Sequence, residues 1–318
     1  MRFDLIKQSI GPKAKPLMIS LVYAVAISAA MNQPSSVFAA STATKSDKPV
    51  NSAVSEPVER KKDRAFAQFQ LGNYLSALNL ALPRAEAGDA AAQTLIAEIY
   101  DRGLGVARDV KQAATWYEIA AKSGNREAQF AYSVKLMEGK VIEQNVELGI
   151  DMLRKAADAG HPTANFNYAS YIISQRPTGA GYRQALPYFE KAAQYRLGDA
   201  FYSLSQIYKA GLTDGIQRPE IARNWLVRAA KAGIDTAQID LALELIRGEN
   251  GPKDEKQAFN WFLIAAVKGN VIAQNRLAHM YLNGVGTKQS SIEAAKWNIL
   301  ARRSGRIDPE LDRFMQLL

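Results

Sequence analysis

The sequence contains no cysteine and only two histidines among its 318 residues. Without cysteine no disulfide can stabilise the fold, and neither thiol catalysis nor a thiolate metal site is available. His161 and His279 alone offer too few ligands for a transition-metal cluster. We therefore expect no metal site and a fold that is stabilised by packing.

The sequence motifs of common enzyme classes are also missing. Gly-x-Ser-x-Gly, Ser-x-x-Lys, a phosphate-binding loop ending in Lys-Ser or Lys-Thr, and His-Glu-x-x-His do not occur. The glycine pairs 103/105 and 284/286 lie between helical patterns rather than after a strand, so they indicate turns and not nucleotide loops. We expect a protein that is not an enzyme and has no cofactor.

Positive charge is present but not concentrated. The net charge is +9, and the first 39 residues contribute four basic residues and one acidic residue, which leaves 36 basic and 30 acidic residues. The densest basic run is Arg-Lys-Lys-Asp-Arg at 60–64. A nucleic-acid binder needs a concentrated basic face, so we expect no nucleic-acid partner.

The N-terminal segment has the features of a signal peptide. Four basic residues occur within the first 15, the apolar stretch 17–30 follows, and small residues stand at Val37 and Ala39. We predict a signal peptide over 1–39, cleavage after Ala39 and a periplasmic location. Secretion, or membrane anchoring by an uncleaved 17–30, is the alternative, and only an uncleaved segment would give a membrane contact.

A flexible linker is predicted over 40–62, because this stretch is rich in Ser, Thr, Ala, Pro and Lys and lacks apolar periodicity. Residues 63–87 then have the pattern of a degenerate helical pair of tetratricopeptide type. At the other end, Asp308 can cap a helix that Pro309 begins, and we expect residues 305–318 to form a C-terminal capping helix.

Between these ends the sequence repeats itself with a period of 36 residues, interrupted by a single spacing of 37. The marker of each unit is a glycine, replaced once by arginine: Gly88, Gly124, Gly160, Arg196, Gly233, Gly269 and Gly305. Alanine stands four residues after each of the first six markers: Ala92, Ala128, Ala164, Ala200, Ala237 and Ala273. A small residue at a fixed position lets two helices approach closely.

A large apolar residue stands eight positions before each following marker: Trp116, Met152, Tyr188, Trp225, Trp261 and Trp297. We expect these residues, the tryptophans included, to lie in the core opposite the alanines. Each unit contains two helical patterns separated by a glycine-containing loop. The sequence thus predicts an all-α fold with six repeats over 88–304, bounded as 88–123, 124–159, 160–195, 196–232, 233–268 and 269–304.

The repeated pattern resembles the Sel1-like repeat, a relative of the tetratricopeptide repeat. The pattern reads Ala-Gln-x-x-Leu-x-x-x-Tyr-x-x-Gly-x-Gly-Val followed by Lys-x-Ala-x-x-Trp-Tyr-x-x-Ala-Ala-x-x-Gly, and the resemblance covers residues 88–305. Repeat three departs from it, with Arg-Pro-Thr-Gly-Ala-Gly-Tyr in place of Gly-x-Gly-Val and Arg196 in place of glycine. The resemblance implies a right-handed superhelical solenoid of helix-turn-helix repeats that binds proteins or peptides.

The first helix of each pair is expected to line the concave face of such a solenoid. Positions six, ten and thirteen after each marker should point away from the partner helix, and in the middle repeats they are apolar. A contiguous apolar patch marks a binding site, although curvature of the array could instead bury this column against neighbouring helices. The predicted partner-binding residues are Phe130, Val134, Met137, Phe166, Ile173, Tyr202 and Gln206.

The resemblance implies an exported adaptor, scaffold or regulator at the bacterial cell envelope. One branch of the family, the periplasmic negative regulators of exopolysaccharide synthesis in rhizobia, holds a sensor kinase inactive, and this role is an alternative. Some relatives are cysteine-rich and bind β-lactams, which gives a cell-wall or β-lactam hydrolase as a second alternative. An effector secreted into a host is a further class. The sequence does not identify the partner.

Overall fold

The computed structural model describes residues 63–316, which fold into α-helices and, in this part of the chain, contain no strand. The predicted signal peptide 1–39, the linker 40–62 and the last two residues lie outside the described residues. The helices are α1 (Arg64–Gln70), α2 (Tyr74–Glu86), α3 (Ala90–Arg102), α4 (Val110–Lys122), α5 (Arg126–Glu138), α6 (Val146–Asp158), α7 (Pro162–Gln175), α8 (Gly179–Gln194), α9 (Gly198–Ala210), α10 (Pro219–Lys231), α11 (Asp235–Arg247), α12 (Glu255–Val267), α13 (Val271–Asn283), α14 (Ser291–Arg303) and α15 (Pro309–Gln316).

These helices confirm the all-α architecture of repeated helical pairs. Repeat one consists of α3 and α4, and each following pair makes the next repeat up to α13 and α14. The described residues divide into two compact units, 63–167 and 168–316, with the boundary inside α7. Unit 1 and unit 2 are described separately below.

Polar side chains directly before the helices determine where the helices begin. Asp89 accepts hydrogen bonds from the backbone N–H groups of Ala91 and Ala92 at the start of α3. Asn125 does the same at the start of α5. Side-chain oxygens at this position satisfy backbone donors that have no partner inside the helix. Each cap therefore fixes where the first helix of its repeat begins.

The markers that end the second helices have left-handed backbone conformations. Gly124 has φ of 86°, and Arg196, the one marker that is not glycine, has φ of 61°. The conformation at this position is thus kept in repeat three although its side chain makes the conformation unfavourable. The substitution by Arg196 alters the energy of the turn rather than its backbone geometry.

The small-residue column predicted from the sequence is fully buried. All six alanines that follow the markers by four residues are almost inaccessible to solvent, which confirms their role between packed helices. The large residues opposite are less deeply placed than expected. Trp297 is buried, whereas Trp116, Trp225 and Trp261 are only half-buried. The expectation that the tryptophans lie in the core is therefore wrong for these three, which are partly exposed to solvent. A side chain of this size is rarely enclosed completely.

A buried carboxamide recurs five residues after most markers. The side-chain N–H₂ groups of Gln93, Gln129, Gln238 and Gln274 each donate to a backbone carbonyl eight residues earlier, at the end of the preceding second helix. In repeat three, Asn165 donates instead to the carbonyl of His161. Repeat four has Phe201, which stacks on Trp225 with ring centroids 5.8 Å apart. These carboxamides join consecutive repeats through hydrogen bonds as well as through apolar packing.

Charged side chains fix the first helical pair in unit 1. The guanidinium of Arg84 on α2 contacts Asp63, which caps α1, and Asp89, which caps α3. Because one cation holds two capping carboxylates, the starts of α1 and α3 are tied to α2. Burial works against ionisation of Asp63 and Asp89, but the hydrogen bonds from Arg84 hold the pKa of both carboxyls below the ordinary value.

The last helix of unit 2 begins where the sequence predicts. Pro309 is the first residue of α15, and the carboxylate of Asp308 accepts from the backbone N–H groups of Glu310 and Leu311. The same carboxylate accepts from Asn275 Nδ2 at 2.9 Å and lies 2.8 Å from His279 Nε2, both on α13. Asp308 thus connects α15 to the first helix of repeat six.

Candidate partner-binding surface

The seven predicted binding residues lie on first helices and are all half-buried. Unit 1 contains Phe130, Val134 and Met137 on α5 and Phe166 on α7, and unit 2 contains Ile173 on α7 with Tyr202 and Gln206 on α9. We call the four residues of unit 1 together with His161 the aromatic surface. Half-burial means that each side chain contacts the protein on one side and remains open to solvent on the other.

Phe130 forms the centre of the aromatic surface through a ring contact with the next repeat. Its ring stacks on the imidazole of His161, with centroids 4.4 Å apart and an interplanar angle of 24°. His161 itself is buried and directly precedes α7. Stacking fixes the plane of Phe130, so its open face is held in one orientation before any partner binds.

Hydrogen bonds determine which nitrogen of His161 carries the proton. Nδ1 accepts from the backbone N–H of Ala164, 3.1 Å away, and so caps α7. Nε2 lies 2.9 Å from Oε2 of Glu127, a distance that fits donation to this carboxylate. The neutral tautomer with the proton on Nε2 satisfies both contacts. His161 is therefore a capping and ring-stacking residue, as its position before Pro162 indicated.

Glu127 remains ionised beside this histidine. Burial favours its neutral form, but the hydrogen bond from His161, together with Arg126, holds the pKa of Glu127 below its ordinary value. A carboxylate thus lies next to the Phe130–His161 ring pair. The aromatic surface combines exposed ring area with one fixed negative charge.

Met137 lies over the second helix of its own repeat. Gly149 on α6 is buried, and a Cβ at that position would lie 2.7 Å from Cγ of Met137 and 3.2 Å from the carbonyl oxygen of Ser133. Glycine is therefore needed at 149 for the close approach of α5 and α6. Part of Met137 is used inside the repeat, and only the remainder can contact a partner.

Acidic residues border the same side of unit 1. Asp101 on α3 forms an ion pair of 2.7 Å with Lys135 on α5. Burial raises the pKa of Glu98, Arg102 opposes this rise, and the carboxylates of Glu127 and Asp101 add to it. The ion pair with Lys135 brings Asp101 against α5, the helix that carries Phe130. The aromatic surface therefore has acidic neighbours on the preceding first helix.

In unit 2 the corresponding aromatic residue is also held by the next repeat. The hydroxyl of Tyr202 on α9 donates to Oδ2 of Asp240 on α11 at 2.9 Å. Burial, followed by the charge of Asp240 and this hydrogen bond, raises the pKa of Tyr202 to about 12. Tyr202 thus resembles Phe130 in bridging two first helices with part of its ring exposed.

A buried carboxylate lies beside Tyr202 in the same unit. Glu244 on α11 is 3% exposed, and its oxygens contact Nζ of Lys209 at 2.8 Å, Nδ2 of Asn250 at 3.1 Å and Nη1 of Arg223 at 3.6 Å. The ion pair Lys209–Glu244 occupies the same repeat positions as Asp101–Lys135 in unit 1, with the charges exchanged. Both pairs join adjacent first helices, so polar contacts fix the spacing under the apolar side chains.

The predicted column does not remain exposed in the last repeats. Ile239 and Asn275, which correspond to Phe130 and Tyr202, are buried. The sixth position after each marker turns toward the next first helix, as the contacts of Phe130, Tyr202 and Asn275 illustrate. The side chains of this column thus contact the next repeat, and those in the middle repeats also remain partly open to solvent. Both interpretations of the sequence, a partner-binding patch and burial against neighbouring helices, therefore apply in part. The role of this column in binding stays a prediction.

The chemistry that this surface offers is recognition. It presents half-exposed rings and aliphatic chains, with carboxylates already engaged by His161 or Lys135. Among residues 63–316, no group of three or more His, Cys, Asp or Glu side chains is arranged to hold a metal ion. No helix in this range is both long and apolar enough to cross a membrane.

The sequence missed His161 and Glu127 as neighbours of Phe130, and Asp240 as the neighbour of Tyr202. Position after the marker could have revealed His161, because it follows Gly160 directly and would meet the sixth residue of the preceding repeat. For Glu127 and Asp240 no sequence signal distinguishes a carboxylate at the surface of a solenoid from a solvated one.

Comparison with known proteins agrees with this architecture. The model of the Sel1 repeat matches residues 90–125, 126–161, 162–194, 191–234, 236–270 and 271–305. The Sel1 repeat fold supports a protein–protein interaction module. The chain belongs to the Sel1 repeat family, whose members are generally non-catalytic scaffolds.

Individual relatives are similar over different extents. The crystal structure of a Sel1 repeat protein from Oxalobacter formigenes is 26% identical, has a TM-score of 0.63, and is matched over 77% of this chain and 96% of that one. The protective antigen c5321 of uropathogenic Escherichia coli is 23% identical, with a TM-score of 0.49, over 80% and 68% of the two chains. Chitin synthase regulatory factor 3 of Schizosaccharomyces pombe is 25% identical over 178 residues, 51% of this chain and 18% of that protein. The chain thus spans under a fifth of this curated relative.

Proposed function

We propose that this protein is an exported, non-catalytic adaptor or regulator at the bacterial cell envelope, which binds a protein or peptide on its first helices. The observation that carries the proposal is the stacked pair Phe130–His161, whose phenyl ring is half-exposed beside Val134. Aromatic side chains held rigidly before binding are favoured anchors of protein interfaces. They lose little conformational entropy when the partner arrives.

Binding rather than catalysis fits the chemistry of the surface. The carboxylates of Glu127 and Asp101 are already engaged by His161 and Lys135. The absence of hydrolase motifs from the sequence points the same way. A chromogenic β-lactam tests the hydrolase alternative, because a binding protein should leave its hydrolysis rate at that of buffer.

Export rests on the N-terminal sequence alone. The basic start, the apolar stretch 17–30 and the small residues at 37 and 39 support a signal peptide cleaved after Ala39. Mass spectrometry of the protein from periplasm, membrane and medium would identify the mature N-terminus. A chain that retains residues 17–30 in the membrane fraction would replace the periplasmic proposal with an anchored one.

A regulatory role is the narrower form of the proposal. The fungal relative is by its name a regulatory factor of chitin synthase, although this chain matches only 18% of it. Negative regulation of a sensor kinase that controls exopolysaccharide synthesis is one such role. A deletion strain that overproduces exopolysaccharide, and is restored by the wild-type chain, would support it.

The partner-binding proposal is tested by crosslinking in cells. The wild-type chain and Phe130→Ala/Phe166→Ala are compared by crosslinking and affinity capture from periplasm, membrane and medium. Because both rings are half-buried, we expect each substitution to cost less than the roughly 3–5 kcal/mol typical of a core aromatic. The double variant should remain folded and lose the captured partner.

A matched control uses two aromatic residues outside the surface. Phe66 and Tyr195 are 45% and 53% exposed, and their replacement by alanine should leave capture unchanged. If the folded double variant Phe130→Ala/Phe166→Ala retains its partner, the binding site lies elsewhere on the chain. If the wild-type chain captures no partner in any fraction, the adaptor proposal fails.

A further inference from the structure

The second helix of repeat six breaks a rule that the other five second helices obey. Seven residues before each closing marker, those helices carry a buried apolar or aromatic side chain: Tyr117, Leu153, Phe189, Leu226 and Phe262. In α14 this position is Asn298, which is 0% exposed. A polar residue thus occupies a site that packs apolar residues everywhere else in the array.

Asn298 has hydrogen-bonding capacity that the protein does not use. Neither its Nδ2 nor its Oδ1 has a partner among the residues that the structure describes. Burying a carboxamide without hydrogen bonds is costly, and both a donor and an acceptor are lost here. Asn298 therefore makes the free protein less stable than an apolar residue at this position would.

A crevice opens beside this carboxamide between α14 and the end of α15. It has a volume of about 420 Å³ and is lined by Asn298, Ile299, Arg302, Arg303 and Met315. Nη1 of Arg302 is held by Asp312 at 2.7 Å. The crevice therefore offers a carboxamide on its floor, aliphatic walls and the second guanidinium, that of Arg303.

The apolar surface beside the crevice also departs from the repeat pattern. Thirteen residues before the closing marker, the other second helices carry an exposed charged residue: Lys111, Glu147, Arg183, Glu220 and Lys256. In α14 the residue is Ile292, which is 80% exposed. Ile299, 46% exposed, follows seven residues later and so lies on the same side of the helix.

Among the described residues, α15 is shorter than the other first helices of unit 2. The first helices of unit 2 that would follow a second helix, such as α11 and α13, have 13 residues, whereas α15 has eight. Pro309 begins α15 near the end of α14, and Met315 reaches the crevice. Among residues 63–316, Ile292 at the beginning of α14 is left 80% exposed.

From these observations we propose that the crevice of α14 is a second binding site, which takes an extended peptide segment with an aliphatic side chain near a carboxylate. A carboxamide presents one donor and one acceptor side by side, which complements the C=O and N–H groups of a peptide backbone. Ile292 and Ile299 bind the aliphatic side chain. Arg303 binds the carboxylate through a charge-assisted hydrogen bond.

The site is separate from the aromatic surface of unit 1 and goes beyond the proposed function. Binding at Asn298 requires Met315, which lines the same crevice, to change its rotamer, and methionine is the most adaptable of the apolar side chains. The partner gains hydrogen bonds that the free protein lacks, so the cost of burying Asn298 is offset when the peptide is bound.

The probe is a pool of fluorescein-labelled heptapeptides with leucine at position three and aspartate or glutamate at position five. A second pool has lysine or arginine at position five. Polarisation measured with the full chain should show tighter binding of the acidic pool. Asn298→Leu should weaken it at least about tenfold, equivalent to 1.4 kcal/mol, while the melting temperature stays equal or rises because an unsatisfied polar group is removed.

Four further variants separate recognition from stability. Ile292→Lys should weaken binding without changing the melting temperature, and Lys256→Ala at the equivalent position of repeat five should change neither. Arg303→Glu should reverse the preference between the two pools. Phe130→Ala/Phe166→Ala should bind the acidic pool like the wild type, which distinguishes this site from the aromatic surface. Equal binding of both pools by the wild type, or undiminished binding by Asn298→Leu, would overturn the proposal.

Discussion

The side-chain Nε2 of Gln274 donates a hydrogen bond to the carbonyl oxygen of Ala266, 3.2 Å away, across the junction of repeats five and six. The backbone N–H of Gly269 donates to the same oxygen at 2.9 Å. One carbonyl at the end of α12 is thus satisfied by the turn and by the next repeat together. The bond from Gln274 recurs in the array, because glutamine stands at the same position in three other repeats and donates in the same way.

Gln274→Glu should destabilise unit 2 at neutral pH and much less in acid. The substitution puts a carboxylate oxygen opposite a carbonyl oxygen in a buried site, and leaving a buried charge without a partner costs about 3 kcal/mol or more. Protonation restores a donor, so the folded-state pKa of the new carboxyl is raised. The loss of stability relative to wild type should appear as pH rises above about 4.3, the unfolded value.

Urea unfolding between pH 4 and pH 8 measures this difference. Gln257→Glu, at an exposed position in the first turn of α12, is the control and should show no comparable loss at pH 8. Equal stability of Gln274→Glu and wild type at pH 8 would show that the carboxamide bond is dispensable.

Arg196→Gly should stabilise the protein. Arg196 has φ of 61°, a conformation that costs a residue with a Cβ about 1–2 kcal/mol. Glycine relieves this strain but loses more entropy on folding, so the net gain should be about 0.5–1 kcal/mol. The urea midpoint should rise, and Gly269→Ala, at φ of 93° with open space around it, should lower the midpoint. An unchanged or lower midpoint for Arg196→Gly would mean that the arginine side chain stabilises the turn.

The sequence predicted the parts of the fold that depend on local chemistry. The 36-residue period, the cap at Asp308 and the glycine at most markers depend on residues close together in the chain. These signals were enough to predict helical pairs and the buried alanines. Arg196 is the exception to this local rule, because the turn keeps its backbone conformation although the usual glycine is absent.

The depth of individual side chains could not be predicted in the same way. Whether Tyr202 is exposed depends on Asp240, 38 residues later, and whether Trp225 is enclosed depends on Phe201 and Arg228, which cover its faces. A helical wheel gives the direction of a side chain but not what the next repeat places against it. The buried carboxamides escaped notice because a polar residue at a fixed position usually indicates an exposed face.

Asp308 should make the stability of unit 2 depend on pH in acid. Burial opposes its ionisation, but hydrogen bonds from Asn275, His279 and the Leu311 N–H hold the pKa of Asp308 well below its ordinary value. A depressed pKa stabilises the fold above the unfolded value of about 3.9, and this stabilisation is lost as pH falls below it.

Asp308→Ala should cost about 1 kcal/mol or more at pH 7, since it removes a helix cap together with two side-chain contacts. The difference from wild type should shrink as pH falls from 5 to 2 in thermal unfolding. Asp312→Ala, which removes only the contact with Arg302, is the control and should cost less. A difference between wild type and Asp308→Ala that stays constant over this range would contradict the role of the ionised carboxylate.

Gly149→Ala tests the close approach of α5 and α6 under the aromatic surface. Alanine within a helix is normally favoured over glycine by about 1 kcal/mol. Here its Cβ would lie 2.7 Å from Met137 Cγ and 3.2 Å from the Ser133 carbonyl oxygen, so the helices must separate or Met137 must move. Overpacking of this kind costs about 1–3 kcal/mol, and the variant should be less stable than wild type.

The double variant Gly149→Ala/Met137→Ala identifies the source of this cost. If Met137 is the main obstacle, removing its side chain makes space for the new methyl group, and the two substitutions should be less destabilising together than the sum of their separate effects. Additive effects would place the strain at the Ser133 carbonyl rather than at Met137. The same comparison in a partner-binding assay then shows how far Met137, held by Gly149, contributes to the aromatic surface.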